Sequence, residues 1–372
     1  MTRSIALLSR SLDIGGTERQ LAEVAMSLDR GGYRATAVCF DGRGMRADQL
    51  RRSGVTVQEF PVRSFRSPAT VTQAMSFYRW LRRMSIDVVH TFDVPTAVFA
   101  VPIARAARVP VVLSSQRGDR RLFSPGLQRA LRITDRLSDA VVVNSQYVRR
   151  ILTREFDVPD GKIATCPNGL DLDLFCRCGP SHRAELPAGR LIVGVVAALR
   201  REKSVETLVD AVARLDRREE LHLVIVGEGP CGEALRDRAR AAGLEPQCTF
   251  VPATATVAPW YRSLDVFVLP SLNESFSNSL MEAMACGCTV VASNVGGNPE
   301  LVRDGENGLL FEPGDSADLA QRLSQILEDG ALRARLARAA SDTIREGYGI
   351  GPSTERFAEL YQACLAREAS AA

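Results

Sequence analysis

Short apolar runs alternate with stretches of helical periodicity along the first part of the chain. Small and polar residues bound the apolar runs, which predict strands at residues 5–9, 35–40, 55–60, 88–90, 111–114 and 140–144. Apolar residues recur at helical spacing in residues 17–28 and 71–84, which predicts helices there. Strands that alternate with helices build parallel sheets covered on both faces, so the pattern predicts a doubly wound α/β domain.

The segment 158–187 changes character, because it is rich in Pro, Gly and Asp and has no sustained period. We interpret this segment as the connection between two domains. Beyond it the alternation restarts, with strands at 191–197, 221–226, 250–251, 266–270 and 289–293 and helices at 205–215, 232–242, 280–286, 317–327, 331–345 and 353–365. Ligands of such sheets bind at the carboxyl ends of the strands, and we expect a second binding region in the cleft between the domains.

Composition supports a globular protein of two domains. The chain has 372 residues, of which 45% are hydrophobic and 24% charged, and this excludes a disordered or fibrous protein. It lacks the long apolar run of a membrane-spanning helix, and its start resembles a strand more than a signal peptide. The nine cysteines lack C-x-x-C spacing and there are three histidines, so we expect reduced cysteines, no metal site and a cytoplasmic location.

Charge is distributed unevenly between the two halves. Residues 1–180 contain 27 Lys or Arg against 17 Asp or Glu, whereas residues 181–372 contain 20 against 27. A basic half suggests a polyanionic or membrane-surface partner, although ordinary solvated surface explains it as well. Lys162 and Lys203 are the only lysines among 47 basic residues, so we consider a specific role for each of them.

Four glycine-containing or polar loops follow predicted strands and could hold phosphate. Gly15 and Gly16 open a helix in which Thr17 and Gln20 have the spacing of a capping box. Residues 227–230 (GEGP) depart from G-x-G-x-x-G, which disfavours a nicotinamide dehydrogenase, and residues 295–297 (VGG) follow a later strand. Residues 273–279 (NESFSNS) end where a helix begins, and accessible amides at a helix start suit a diphosphate.

Two carboxylates and a lysine stand near these loops. Glu282 has a structural alternative, since Ser279 and Glu282 form S-x-x-E, the pattern of a capping box. Glu274 has no such explanation and could accept hydrogen bonds from sugar hydroxyls. Arg200 and Lys203 lie in a cationic loop after a strand, where they could bind phosphate oxygens or form a solvated surface.

The second half resembles the retaining glycosyltransferases of family 4. The resemblance rests on residues 270–276 (PSLNESF), 282–287 (EAMACG), 290–297 (VVASNVGG) and Glu300, and it extends to the Gly15-Gly16 loop, residues 168–171 (NGLD) and the Lys203 loop. The E-x7-E motif of that family corresponds to Glu274 and Glu282. The resemblance implies the GT-B fold, with an acceptor domain at 1–175, a nucleotide-sugar domain at 186–348 and a last helix, about 350–368, that crosses back.

The same resemblance implies a role for each site residue. Glu282 would bind the ribose hydroxyls and Glu274 the transferred sugar, while Lys203 would neutralise the leaving diphosphate. The set implied for the donor is completed by Gly15, Gly16, Gly227, Gly229 and the backbone amides of Phe276, Ser277 and Asn278. No cofactor or metal is expected, because fixed cations and amides can stabilise the departing diphosphate.

The chain departs from the family pattern at two places. Ala197 and Ala198 replace the frequent Gly-Arg, and Arg200 is the candidate for the missing guanidinium. Gln116, followed by Arg117, stands where many members have a histidine. His90 ends another strand and either lines the cleft with these residues or only packs there. Asp171 and Asp173 form D-x-D but follow no strand, which argues against a metal role.

These features predict a retaining glycosyltransferase that makes polysaccharide, lipopolysaccharide or another glycolipid from a nucleotide-sugar, with UDP favoured over GDP. Two alternatives stay open, a sugar-nucleotide epimerase of similar fold and a non-catalytic sugar-nucleotide-binding subunit. Arginines mixed with apolar residues at 63–83 and 117–136 predict peripheral contact with an anionic inner membrane and a glycan or lipid-linked acceptor. No nucleic-acid-binding motif accompanies the charge, so no nucleic-acid partner is expected.

Overall fold

The computed structural model describes residues 2–13 and 15–371, which form two compact units. The first unit takes in the described residues up to Gly169 and those from Ile350 onward, and the second is Leu170–Gly349. Residues 170–175, which the family resemblance assigns to the first domain, lie in the second unit. None of the helices in the described part of the chain has the length and apolar character needed to cross a membrane.

Parallel strands form the sheet of the first unit, in the order β3-β2-β1-β4-β5-β6-β7. Their bounds are β1 (Ser4–Ser11), β2 (Arg34–Asp41), β3 (Thr56–Glu59), β4 (Val88–Thr91), β5 (Val111–Gln116), β6 (Ala140–Val143) and β7 (Ile163–Thr165). The central strands are buried on both faces, which explains why each appears in the sequence as a continuous apolar run. The strand order reverses between β1 and β4.

Helices cover both faces of this sheet. Their bounds are α1 (Gly16–Arg30), α2 (Met45–Arg52), α3 (Pro68–Met84), α4 (Val94–Ala106), α5 (Pro125–Leu137) and α6 (Gln146–Glu155). On one face α4 packs between α3 and α5, and the core there includes Phe77, Trp80 and Phe99. On the other face α1 and α2 cover residues such as Leu7 and Val88.

The second unit repeats the architecture with the strand order β10-β9-β8-β11-β12-β13. The strands are β8 (Leu191–Val196), β9 (Leu221–Val226), β10 (Cys248–Val251), β11 (Val266–Leu269), β12 (Thr289–Ser293) and β13 (Leu309–Phe311). The helices are α7 (Val205–Ala213), α8 (Gly232–Ala241), α9 (Ala258–Tyr261), α10 (Asn278–Ala285), α11 (Asn298–Leu301), α12 (Ser316–Glu328) and α13 (Gly330–Gly347). Here the order reverses between β8 and β11, where sheets of this class bind ligands.

A last helix, α14 (Ile350–Ala371), belongs to the first unit although it follows the second along the chain. Phe357 and Tyr361 are both fully buried in the core beneath α1. The Ser353 hydroxyl donates to the carbonyl oxygen of Pro167 at 2.9 Å. The helix is therefore an integral layer of the first unit.

The prediction of two parallel-sheet α/β domains is confirmed, and two short strands were missed. β7 lies inside the segment 158–187 that the sequence pattern assigns to the connection, and it pairs with β6. β13 pairs with β12 and was not predicted at all. Each has three residues, too few for a run that stands out from its surroundings.

Candidate active site

Lys203 and Glu274 meet where the strand order of the second sheet reverses. Lys203 ends the 3-10 turn Arg201–Lys203, which follows β8, and Glu274 lies in the loop after β11. The Nζ atom of Lys203 donates to Oε1 of Glu274, so the two charges form an ion pair. The amide of Leu272 also donates to the carbonyl oxygen of Glu202 at 2.8 Å. The two loops are thus joined by one side-chain bond and one backbone bond.

The loop beneath Glu274 is fixed by buried hydrogen bonds. The fully buried Ser271 hydroxyl donates to Oε1 of Glu274 at 3.0 Å. Gly297 donates its amide to the Glu274 carbonyl oxygen at 3.1 Å. Gly296 has a φ of +60°, and a Cβ there would lie 1.6 Å from the same oxygen, so only glycine fits. The sequence pattern did not reveal these supports, although a Gly-Gly pair directly after a strand was the available signal.

Glu282 lies inside α10 and does not close the end of that helix. The N-cap is Ser277, whose hydroxyl accepts a hydrogen bond from the amide of Leu280 at 3.3 Å. Ser279 is the second residue of the helix, so the capping-box interpretation of Ser279 and Glu282 is wrong. The side chain of Glu282 is buried at 5% exposure. Because Glu282 does not cap the helix, the burial of its carboxylate has to be explained by another role.

The start of α10 presents few side chains to solvent. Phe276 and Ser277 are buried, and the Phe276 ring lies 5.7 Å from that of Tyr348. Asn278 is half-buried. The amide of Leu280 donates to Ser277, so what this helix start offers an anion is the partial positive charge of the helix end.

Gly227 and Gly229 support the lysine loop by close backbone contact. A Cβ on Gly227, whose φ is +138°, would lie 1.9 Å from the carbonyl oxygen of Ala197, and one on Gly229 would lie 2.4 Å from that of Leu199. Their packing fixes the path of the chain from β8 toward Lys203. Arg200 is exposed, and its guanidinium has no hydrogen bond or ion pair among the residues that the structure describes.

Histidine 90 is part of the packed core of the first unit. His90 is fully buried, and its ring nitrogens lie 2.8 Å from the Tyr361 hydroxyl and 2.8 Å from the Ser115 hydroxyl. Burial lowers the pKa of His90 to about 3, so the ring is neutral near pH 7. These bonds favour the packing interpretation of His90.

Gln116 and Arg117 are also held within the first unit. Gln116 is buried, donates to the Gly118 carbonyl oxygen at 3.1 Å and accepts from Arg120 at 3.3 Å. Arg117 is half-buried, donates to Asn168 and lies over the Phe92 ring at 5.4 Å. Burial lowers the pKa of Arg117 to about 10, which leaves it charged near pH 7.

The loop before α1 is built differently from the predicted capping box. Gly15 is the N-cap and Gly16 the first helical residue, and no side chain caps the helix. Gln20 instead accepts a hydrogen bond from the Gly169 amide at 2.9 Å, so the capping-box interpretation of Thr17 and Gln20 is wrong. The carboxylate of Glu18, in the first turn, lies over Gly15, where a Cβ would come within 2.1 Å of its Oε2. This helix start is therefore already faced by an anionic side chain.

Aspartates of the D-x-D sequence have a local role. Oδ1 of Asp171 accepts hydrogen bonds from the amides of Asp173 at 3.0 Å and Leu174 at 3.2 Å, which closes a turn. Across residues 2–13 and 15–371, no group of three or more His, Cys, Asp or Glu side chains has an arrangement that could hold a metal ion.

Comparison with known proteins identifies the family. The model of "Glycosyl transferases group 1" matches residues 181–343, and that of "Glycosyltransferase Family 4" matches residues 14–174. A D-inositol 3-phosphate glycosyltransferase of Arthrobacter sp. is 30% identical over 300 residues, which cover 75% of this chain and 71% of the relative. The chain belongs to the group 1 glycosyltransferases. Lys203, Glu274 and Glu282 lie within the segment of this glycosyltransferase that the group 1 model matches.

A second relative of this glycosyltransferase, the D-inositol 3-phosphate glycosyltransferase of Stackebrandtia nassauensis, is 35% identical over 221 residues. The match covers 55% of this chain, and the chain spans about half the length of that relative, 50%.

Solved structures share the fold of this glycosyltransferase. A glycosyltransferase from Rickettsia africae has a TM-score of 0.86 at 18% identity, covering 98% of this chain and 99% of the other. Anabaena HepE in complex with UDP has a TM-score of 0.86 at 22% identity, covering 97% and 100%. The expected GT-B fold is confirmed.

Proposed function

We propose that this glycosyltransferase moves a sugar from a UDP-sugar to a glycan or lipid-linked acceptor in the synthesis of surface polysaccharide or glycolipid. The observation that carries the proposal is the Lys203–Glu274 ion pair at the β8–β11 reversal, which places a cation beside a carboxylate at the ligand-binding edge of the sheet. The relatives named for UDP, such as Anabaena HepE, support UDP as the carrier.

Each charge of the pair has a chemical task in this proposal. Departure of the diphosphate develops negative charge, which Lys203 and Arg200 stabilise together with the partial positive charge at the start of α10. An ammonium has three N–H donors, so Lys203 can keep its bond to Glu274 and donate another to a phosphate oxygen. Glu274 accepts hydrogen bonds from hydroxyls of the transferred sugar, and Glu282 accepts them from the ribose.

Retention of the anomeric configuration and independence from metal complete the proposal. The resemblance to the retaining glycosyltransferases of family 4 supports retention, and the cations available at the diphosphate support independence from metal. Proton NMR of the product, taken before the anomers equilibrate, reads the configuration directly. An inverted product would overturn the retaining assignment, and activity that EDTA abolishes and Mg²⁺ or Mn²⁺ restores would overturn metal independence.

A donor screen tests the reaction itself. UDP-sugars and GDP-sugars are incubated with the protein alone, with bacterial membrane extract and with inositol 3-phosphate, and released nucleoside diphosphate is measured. We expect release of UDP that increases with the membrane extract. Conversion of the donor to a second nucleotide-sugar without acceptor would instead identify an epimerase. Binding without turnover under every condition would identify a non-catalytic subunit. Release stimulated only by inositol 3-phosphate would assign the acceptor named for the relatives.

Basic and apolar side chains on the first unit support contact with an anionic membrane surface. The outer face of α5 presents Arg129, Arg132, Ile133 and Arg136 at helical spacing, and Ile133 is 55% exposed. The face of α3, which flanks α4 on the other side, exposes Val71, Met75, Arg79, Arg82 and Arg83. Phe77 and Trp80, which the sequence pattern includes among the membrane residues, are buried in the core.

Flotation with lipid vesicles tests this contact. The protein should float with vesicles that contain anionic lipid, remain behind with zwitterionic vesicles, and dissociate as salt is raised. Replacing Val71 and Ile133 with Ser should weaken flotation without changing the melting temperature, because both side chains are exposed. Equal flotation with both vesicle types would remove the electrostatic basis of the proposal.

A further inference from the structure

A cavity of 340 Å³ opens on the first unit where α5 and α6 end. It lies among residues of the C-terminal half of α5, the chain that leaves α6 and the turn before β7. Its lining consists of Arg132, Asp135, Arg136, Phe156, Asp157, Val158, Pro159 and Lys162. None of these residues belongs to the site around Lys203 and Glu274. The size is that of a small-molecule pocket.

Carboxylates near the cavity are already paired with arginines outside its lining. The pairs are Arg120 with Asp135 at 2.6 Å, Arg105 with Asp139 at 2.5 Å, and Arg149 with Asp160 at 2.6 Å. The first pair is buried and bidentate, so Arg120, which lies outside the lining, compensates the charge of the lining residue Asp135. The arginines compensate these carboxylates, of which Asp135 and Asp139 also act on the charge of Lys162.

The three lining cations form no ion pairs in the part of the chain that the structure describes. The exposed guanidinium groups of Arg132 and Arg136 have no hydrogen-bond acceptor there either. Lys162 is half-buried, and its Nζ donates to the Arg136 carbonyl oxygen at 2.9 Å, in the last turn of α5. This bond holds the ammonium at the helix end and offsets the carbonyl dipoles that would otherwise repel an anion. Against these three charges the lining sets two carboxylates, Asp135, which is paired with Arg120, and Asp157, which has no ion-pair partner among the described residues.

We propose that this cavity binds a phosphate group, held by Arg132, Arg136 and Lys162, at a site separate from the proposed donor site. Two guanidinium groups and an ammonium supply the charge-assisted hydrogen bonds that a phosphate accepts. Phe156 and Val158 form an apolar wall for the organic part of the ligand. The phosphate belongs either to a soluble phosphorylated compound or to a lipid headgroup, since Arg132 and Arg136 also lie on the outer face of α5.

Selective chemistry at lysine provides a test, because Lys162 and Lys203 are the only lysines in the chain. The full-length protein is acetylated with an N-hydroxysuccinimide ester, and the rate at each lysine is followed by peptide mass spectrometry. Three probes are compared at matched ionic strength: inorganic phosphate, glycerol 3-phosphate, and vesicles with anionic or zwitterionic lipid. We expect a probe to slow acetylation of Lys162, while chloride has no effect. The rate at Lys203 reports separately on the proposed donor site.

Two variants decide whether the cavity causes the protection. Replacing Arg132 and Arg136 together by Gln should raise the probe concentration that half-protects Lys162 by roughly tenfold or more, because each lost charge-assisted bond weakens binding. For the two soluble probes, Arg129→Gln is the matched control, since Arg129 lies on the same face of α5 outside the lining and should keep full protection by those probes. Melting temperatures establish that both variants fold.

The outcomes separate the two sources of phosphate from failure of the proposal. Protection by glycerol 3-phosphate or inorganic phosphate assigns a soluble ligand, and protection by anionic vesicles alone assigns a lipid headgroup. Unchanged acetylation of Lys162 with every probe would overturn the proposal, as would equal protection in the double variant. None of these results depends on turnover, so loss of the proposed transfer activity would leave the cavity assignment unaffected.

Discussion

Lys203 and Glu282 have distinct energetic roles in the proposed reaction. Lys203 faces charge that develops only as the diphosphate leaves, whereas Glu282 faces hydroxyls that are present in the bound donor from the start. An interaction that grows in the transition state raises turnover, and one that is constant raises affinity. Substitutions at the two residues should therefore change different kinetic parameters.

Lys203→Ala should lower kcat by about a hundredfold or more and change the affinity for uridine little, because removal of one charge-stabilising donor has an effect of that order. Steady-state kinetics of UDP release and calorimetry with uridine measure the two quantities. Arg338→Ala removes an exposed arginine of the same unit and should retain the wild-type rate. Wild-type kcat in the lysine variant would remove Lys203 from the site.

Glu282→Ala should weaken donor and uridine binding by roughly tenfold or more, the loss expected for a hydrogen bond to a charged group. Activity should fall in parallel while the protein remains folded. Calorimetry with uridine tests the affinity, and circular dichroism tests the fold. Unchanged uridine affinity would show that the carboxylate does not contact the ribose.

Elements were predicted well where their residues supply enough local signal. The apolar runs of β8 and β9 identify them directly, whereas α4 is apolar around most of its surface and contains Pro102, so its period is hidden. Both capping boxes failed for one reason. The chain enters the helix two residues before the expected cap, at Gly15 and at Ser277, because the preceding loop geometry and not the S-x-x-E or T-x-x-Q pattern sets the helix start.

The glycine turn after β12 should be intolerant of a side chain. Gly296→Ala places a Cβ against the Glu274 carbonyl oxygen in addition to the cost of a positive φ, so the loop must move. We expect loss of most activity. Gly243→Ala is the matched control, since Gly243 has a φ of +69° with nothing within 4 Å of the place that a Cβ would occupy, and should cost only about 1 kcal/mol of stability. Equal activity in both variants would contradict the proposed support of Glu274.

His90 connects β4 to α14 and should make the first unit sensitive to acid. Its pKa is lowered from 6.5 to about 3, so below pH 6.5 the unfolded chain takes up a proton that the folded chain does not. The free energy of unfolding of the first unit therefore has its full value above pH 6.5 and decreases as the pH falls, by about 2 kcal/mol at pH 5.

His90→Gln should therefore reduce the difference in unfolding free energy between pH 7 and pH 5 by about 2 kcal/mol. Urea unfolding followed by Trp80 fluorescence in a Trp260→Phe background reports on the first unit, since the chain has two tryptophans. An identical pH dependence in the two proteins would show that folding does not change the pKa of His90.

The whole molecule could be predicted as two α/β domains because the alternation of strands and helices extends along the chain. The site could be predicted only as separate motifs. Lys203 and Glu274 are 71 residues apart in the sequence, and a local pattern does not show whether two such residues are close in space. The two residues are close because β8 and β11 are neighbouring strands of the sheet. The grouping of Lys203 and Glu274 into one proposed site came from the resemblance to a family, because the periodicity of the sequence contains no such information.

Deleting everything after Gly349 should unfold the first unit and spare the second. The deletion removes the fully buried Phe357 and Tyr361, and loss of each large buried side chain costs about 3–5 kcal/mol, comparable with the whole stability of a domain. Limited proteolysis should then degrade the first unit, while the second remains protected. A first unit that resists protease as well as the full chain does would contradict this role of α14.

The return of α14 to the first unit also sets the order in which the protein can be finished on the ribosome. The second unit is one continuous segment, so it can fold as soon as Gly349 has emerged. The first unit is begun earlier but must wait, with the apolar surface beneath α1 uncovered, until α14 has been translated. Domains generally fold as units during synthesis, beginning with the N-terminal one. In this chain the unit whose synthesis begins first is therefore the unit that is completed last.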